Sequence, residues 1–219
     1  MRPVLYPDKT IVLPPRLCAT VGYYACAWMY GNYEQDWSRR FDKREKDAHR
    51  FTIADTHGKL SLTVPIAKPE SSSCSWKDIC VSTHGAWWDV HRVALESAYG
   101  RTPYFEFYID RFLPMLTVGV EERYPSLASL ALAWDAEIRK ILTLPRAPEQ
   151  DDTTAKVPGE ASAYVEPGDS EPVSQITTLE YYQVRAEKLG FIPNLSILDL
   201  LFNLGPESPL YLHYLTSGR

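Results

Sequence analysis

The sequence lacks most of what would place it quickly. It has no Walker loop, no GxGxxG fingerprint, no GxSxG elbow and no HExxH helix, which removes the phosphate-cradling, dinucleotide, serine-hydrolase and zincin signatures together. It has no cationic excess either: net charge is −5, which argues against a broad footprint for nucleic acid or anionic membrane. Long apolar runs are missing, and YYACAWMY is too short to span a bilayer. The opening MRPVLYPDKT is polar and proline-punctuated, unlike a secretory signal. Cys18, Cys26, Cys74 and Cys80 form no CxxC element, so structural zinc is not indicated and reduced, packed thiols are expected. Together these absences point to a cytoplasmic address.

What is present is an ordinary globular balance, 45% hydrophobic and 23% charged, in 219 residues, enough for one substantial core. Pro14–Pro15 keeps the start extended. Thr20 to Trp37 is aromatic-rich, with Val21, Tyr24, Ala25 and Trp28 on one helical face until Gly31–Asn32 interrupts. HRFTIAD and KLSLTVPI alternate around Asp55–Gly58 and read as an antiparallel hairpin. KDICVS and TTLEYYQV have strand character. Helices are expected over 87–99, ended by Gly100, over 104–113, over 127–142 and over LSILDLLFN, where Ser196 caps and Asp199 completes a weak capping box. Residues 146–175 are proline-rich and poor in large apolar residues, so a mobile loop is expected there. The fold class is α+β, a single compact mixed-content domain over 1–219 with an antiparallel hairpin and packed helices.

The chemistry concentrates in WWDVHRVALESAYGRTPYFEFYID, Trp87 to Asp110. On a helix His84, Trp88, His91, Leu95 and Ala98 form one stripe, with Asp89, Arg92, Glu96 and Tyr99 beside it. An imidazole at such a boundary can take and return a proton near neutral pH, which makes His91 the candidate general base. A partly buried histidine bonded at a helix edge explains the same residue. His84 precedes the helix where a loop can turn it into the same cleft. Two histidines seven apart could meet a metal, but no third ligand is indicated. Trp88, Tyr99 and Tyr104 suit a pocket wall as well as a core. Asp199 and Asn203 share an i, i+4 face.

Three segments in order carry a resemblance: Leu13-Pro14-Pro15 with Gly22-Tyr23-Tyr24 and RFDKREKDAHRFTIADTHGKLSLTVPI; then Trp87 to Asp110; then GFIPNLSILDLLFNLGP. In this combination the chain resembles the WbqC-like protein family. The resemblance implies a bacterial setting of surface-polysaccharide biosynthesis and a transferase acting on an activated sugar or precursor. It singles out His91, Glu96 to Tyr99, Pro103 to Phe105 and the 195–203 helix. On this reading His91 deprotonates the acceptor, Lys43, Arg44 or Arg50 binds donor phosphate, and Tyr99 and Tyr104 orient the ring. Asp199 positions a substrate hydroxyl or the imidazole. The expected partners are a small-molecule sugar or activated donor and a biosynthetic protein, with no nucleic acid and no transmembrane segment; the cofactor is left open and no metal is indicated. The rival reading is a non-catalytic saccharide-binding or assembly protein, since aromatic residues serve recognition as readily as catalysis.

Overall fold

The computed structural model describes residues 10–42, 44–69, 71, 73–144, 162–164 and 176–217. Its first unit is β1 (Thr10–Leu13), α1 (Val21–Tyr30) and β2 (Asn32–Gln35). β2 pairs parallel with β1, Ile11 opposite Tyr33, and β5 (Ser162–Tyr164) pairs parallel on the other side of β1. This β-α-β unit was hidden in the sequence, where four-residue strands give no alternation to count. Gly31 makes the turn possible: at φ 70 it closes α1, its N–H donating to the Ala27 and Trp28 carbonyls, and β2 starts at the next residue. α1 carries no charge, is buried from Val21 through Trp28, and packs chiefly against the last helix, α8 (Ser208–Ser217).

The expected hairpin is present as β3 (Arg50–Asp55) and β4 (Gly58–Thr63), with Thr56–His57 at the tip. His57 N–H donates to Asp55 Oδ1 at 2.7 Å, and Gly58 takes φ 121, a turn that few other residues would make. Against it lies α2 (Trp87–Tyr99), followed by α3 (Phe105–Phe112), the short α4 (Val120–Arg123) and α5 (Leu127–Leu142). α2 and α5 occupy the ranges their periodicity indicates. In α5, Leu130, Trp134, Ile138 and Leu142 are buried as expected, but so are Asp135 and Arg139. Asp135 accepts from Tyr24 Oη at 2.8 Å, from Tyr33 Oη and from Arg139 Nε at 2.7 Å, and the guanidinium lies 3.6 Å from the Tyr33 ring centroid. A buried pair this well satisfied ties α5 to the β-α-β unit.

The tail returns through a one-turn helix, α6 (Ala186–Leu189), to α7 (Ile197–Leu204) and α8. Segment 194–197 is the junction. Leu195 O and Asn194 Oδ1 accept from Val21 and Gly22 N–H, Ser196 N–H donates to Thr52 O, and Ile197 N–H to Ala19 O. The N-terminus of α1, a ready anion site in many β-α-β units, is thus filled by the chain's own carbonyl and amide oxygens.

Several sequence expectations are corrected. TTLEYYQV joins no strand among the described residues; its polar groups bond to α7 side chains instead. KDICVS forms a 3-10 turn at Trp76–Asp78 and two isolated bridges, Cys80 to Ser126 and Val81 to Ile66. Ser196 caps α7 through Leu198 N–H, but Asp199 does not complete a capping box; its carboxylate turns to other partners. The loop expected at 146–175 lies outside the described residues apart from strand β5. No helix among the described residues is long and apolar enough to cross a membrane.

Gly205 ends α7 at φ 53, and a Cβ there would lie 2.4 Å from the Tyr104 ring. Gly205→Ala therefore meets both backbone strain and overpacking, and thermal or urea unfolding should show a loss of about 2–4 kcal/mol.

Candidate functional site

α2 acts as a ruler that separates the expected site residues. His91 and Tyr99 are eight residues apart, about 12 Å along a helix axis. The hairpin runs alongside, so Arg50 at its open end is about 16 Å from its tip. The result is two groups rather than one cleft.

At the open end His91 is 3% exposed, its ring 5.6 Å from that of Phe51 and 5.2 Å from that of Trp87. Burial brings its pKa down to about 4, against the upward pull of a hydrogen bond to the Thr63 backbone, and Nδ1 has no partner. A group that protonates only near pH 4 is poorly matched to receiving an acceptor proton at neutral pH. Glu96 is engaged by Arg92, at 3.6 Å, on the exposed face. His84 is exposed in a 3-10 turn; Trp88 is half-buried beside Trp87, whose Nε1 donates to Ser82 O. Arg50 donates to Thr63 Oγ1 at 2.8 Å. Arg44 is bound to Asp42, whose carboxyl its hydrogen bonds hold down at about 2. Lys43 lies outside the described residues. No group of three His, Cys, Asp or Glu among the described residues could hold a metal.

At the hairpin tip the structure does gather Tyr99, Asp199 and Asn203. Ala54 N–H donates to Tyr99 Oη at 3.2 Å, and Tyr99 donates to Asp199 Oδ1 at 2.9 Å. Asp199 Oδ2 accepts from Tyr181 Oη at 2.5 Å and Gln183 Nε2 at 2.8 Å. Burial raises the Asp199 pKa, opposed by these three bonds, and burial likewise pushes Tyr99 and Tyr181 well above their usual range. Asn203 Oδ1 accepts from Val184 N–H at 2.9 Å, while its Nδ2 donates to Asp199 O. Tyr104, whose N–H donates to Phe202 O, rests on Gly205.

Tyr181, Gln183 and Arg185 were not singled out in the sequence, yet they carry this end of the molecule. Gln183 pairs with both backbone groups of Ile192, accepting its N–H at 2.9 Å and donating to its carbonyl at 3.0 Å, which closes 183–192 into a strap. Arg185 Nη2 donates to Ser97 O and Ala98 O, Gly100 N–H to Glu96 O, and Thr102 to Tyr99 O. All four carbonyls left over at the end of α2 are thereby satisfied, with a cation at the negative end of the helix. Residues that act only through contacts far along the chain leave no local signal; the sole hint was polar and aromatic crowding in EYYQVR.

Beneath the strap is a cavity of about 10 Å³, the scale of one water, lined by Ala54, Tyr99, Gln183, Ile192 and Asp199 among others. It shares Val184, Arg185 and Leu189 with an open groove of about 370 Å³, completed by Thr56, Glu187 and Lys188. That volume is within the range of small-molecule sites.

Two comparisons bear on the chain. The model of the WbqC-like protein family matches residues 40–166. Uncharacterized protein Rv1507c of Mycobacterium tuberculosis is 31% identical over 191 residues, covering 76% of this chain and 81% of the relative. No solved structure matches.

The buried imidazole sets a pH dependence. Its pKa is lower in the folded chain, about 4 against 6.5, so the unfolded chain binds the proton more tightly between those values. Stability is complete above pH 6.5 and falls toward pH 4, by about 3 kcal/mol from this group. His49, also lowered by burial, adds in the same direction. Urea unfolding across this window should show a shallower acid loss for His91→Leu than for the wild type.

Proposed function

This chain belongs to the WbqC-like protein family, and from that premise we propose that it transfers a group to an activated sugar or surface-polysaccharide precursor in the cytoplasm. The reaction is placed in the groove between the hairpin tip and the strap. One observation carries this reading: Asp199, a carboxylate with its pKa raised by burial, lies at the floor of a water-sized cavity that adjoins a groove of ligand size. A raised carboxylate pKa brings a base closer to the working pH and makes proton uptake easier. In this scheme the acceptor hydroxyl or amine gives up its proton to Asp199 through one water in the cavity. Tyr99 and Tyr181 hold the carboxylate in place and stabilise its charged form. Asn203 acts at one remove, fixing Val184 and with it the strap.

The burial of His91 among Phe51 and Trp87 favours a packing role for that residue and leaves Asp199 as the base. A second reading has its own support. Asp199 is bound by three donors of the chain itself, as a purely structural clamp would be, which favours a saccharide-binding protein without turnover.

Asp199→Asn separates the two. The amide is nearly isosteric and keeps one oxygen acceptor, placed on Tyr181 and Gln183 with its NH2 turned to the Tyr99 hydroxyl oxygen, but it cannot take a proton. With activated sugars as acceptors and acyl-carrying cofactors as donors, the variant should remain folded, still bind the sugar by thermal shift, and lose at least about 100-fold in turnover. Turnover at the wild-type level in Asp199→Asn excludes the base role. Ligand binding without turnover in either protein selects the binding reading.

A further inference from the structure

The groove mouth differs in charge from the rest of the chain. Net charge is −5, yet the groove presents Arg185 and Lys188 against one carboxylate, Glu187. Lys188 is exposed and forms no ion pair among the described residues. Arg185 has Nη2 on the α2 carbonyls, but its Nε is buried and unpartnered, and the side chain lines both groove and cavity. Across from them, Thr56 at the hairpin tip presents a hydroxyl whose contact is the neighbouring His57 ring at 3.0 Å. Two cations and a hydroxyl around one open space are suited to a tetrahedral anion, with the lysine as a mobile point charge and the arginine, held on the α2 carbonyls, as a fixed one.

We propose that this mouth binds a phosphate or diphosphate group of the ligand, with Lys188 as the direct contact, Thr56 as a second donor and Arg185 supplying fixed charge. The assignment rests on the reading of the groove as the substrate site and makes that substrate a phosphate ester. It moves the phosphate-binding role away from Arg44 and Arg50: Arg50 is at the far end of the hairpin, and Arg44 is occupied by Asp42. It also orients the ligand, phosphate outward at Lys188 and sugar ring inward toward Asp199. Glu187 opposes the anion, so its neutralisation should tighten binding.

The test is titration with inorganic pyrophosphate, followed by amide chemical shifts, in wild type, Lys188→Ala, Glu187→Gln and Arg44→Ala. Lys188 is exposed on a single helical turn, where alanine is well tolerated. Pyrophosphate should perturb Thr56 and Leu189, bind about tenfold more weakly to Lys188→Ala, bind more tightly to Glu187→Gln, and be unaffected by Arg44→Ala. Perturbation centred on Arg44 and Arg50, unchanged affinity in Lys188→Ala, or no binding to the wild type overturns the proposal. A parallel titration with neutral N-acetylglucosamine keeps the underlying reading separate. Sugar shifts near Asp199 without pyrophosphate binding leave the substrate site standing and remove only the phosphate assignment. Pyrophosphate at Lys188 with no response to any sugar does the reverse.

Discussion

A single buried carboxylate organises one end of this molecule. Asp199 is 1% exposed and receives three donors, from α2, from the strap and from the segment between them. An unpaired carboxylate there would be prohibitively unfavourable, so α7 is stable in its place only if Tyr99, Tyr181 and Gln183 are all delivered to it. That requirement links chain segments a hundred residues apart and puts the hairpin tip, through Ala54 and Tyr99, in the same network. The groove exists because the strap is held at this distance from the tip.

The other fixed relations follow from α2. Its C-terminal carbonyls take Arg185 and thereby anchor the strap a second time, while its N-terminal half buries His91 against the open end of the hairpin. One rigid helix therefore sets His91 about 12 Å along its axis from Tyr99, the partner of the carboxylate, and the two groups are held at different ends of the hairpin. The Asp135–Arg139 pair plays a matching part on the other side, where it joins α5 to the β-α-β unit through Tyr24 and Tyr33.

Much of this was legible in the residue order. The hairpin announced itself by alternation about Asp55–Gly58, α2 by apolar spacing and the Gly100 stop, and α5 by apolar spacing, all local signals. Asp199 and Asn203 were legible as one helix face, but not that Tyr99 and Gln183 would bond to it. What escaped was whatever depends on long-range closure. Four-residue parallel strands carry no readable pattern, and TTLEYYQV looks like a strand because its β-prone residues do not reveal that its bonds go to side chains. His91 resembled a boundary residue because helical projection cannot show which neighbouring element will cover it. Arg185 and Lys188 are single residues in a short turn, and nothing local in the sequence marks them as lining a groove.

The most direct test of Asp199 as the organising contact is amide hydrogen exchange in Asp199→Ala compared with wild type. Loss of the clamp should raise exchange at Val184 and Ile192, whose N–H groups are bonded to Asn203 and Gln183, while α1 and α5 amides keep their protection. Unchanged protection of Val184 and Ile192, in a variant that still folds, would mean that the strap is held without Asp199 and that the groove owes its shape to something else.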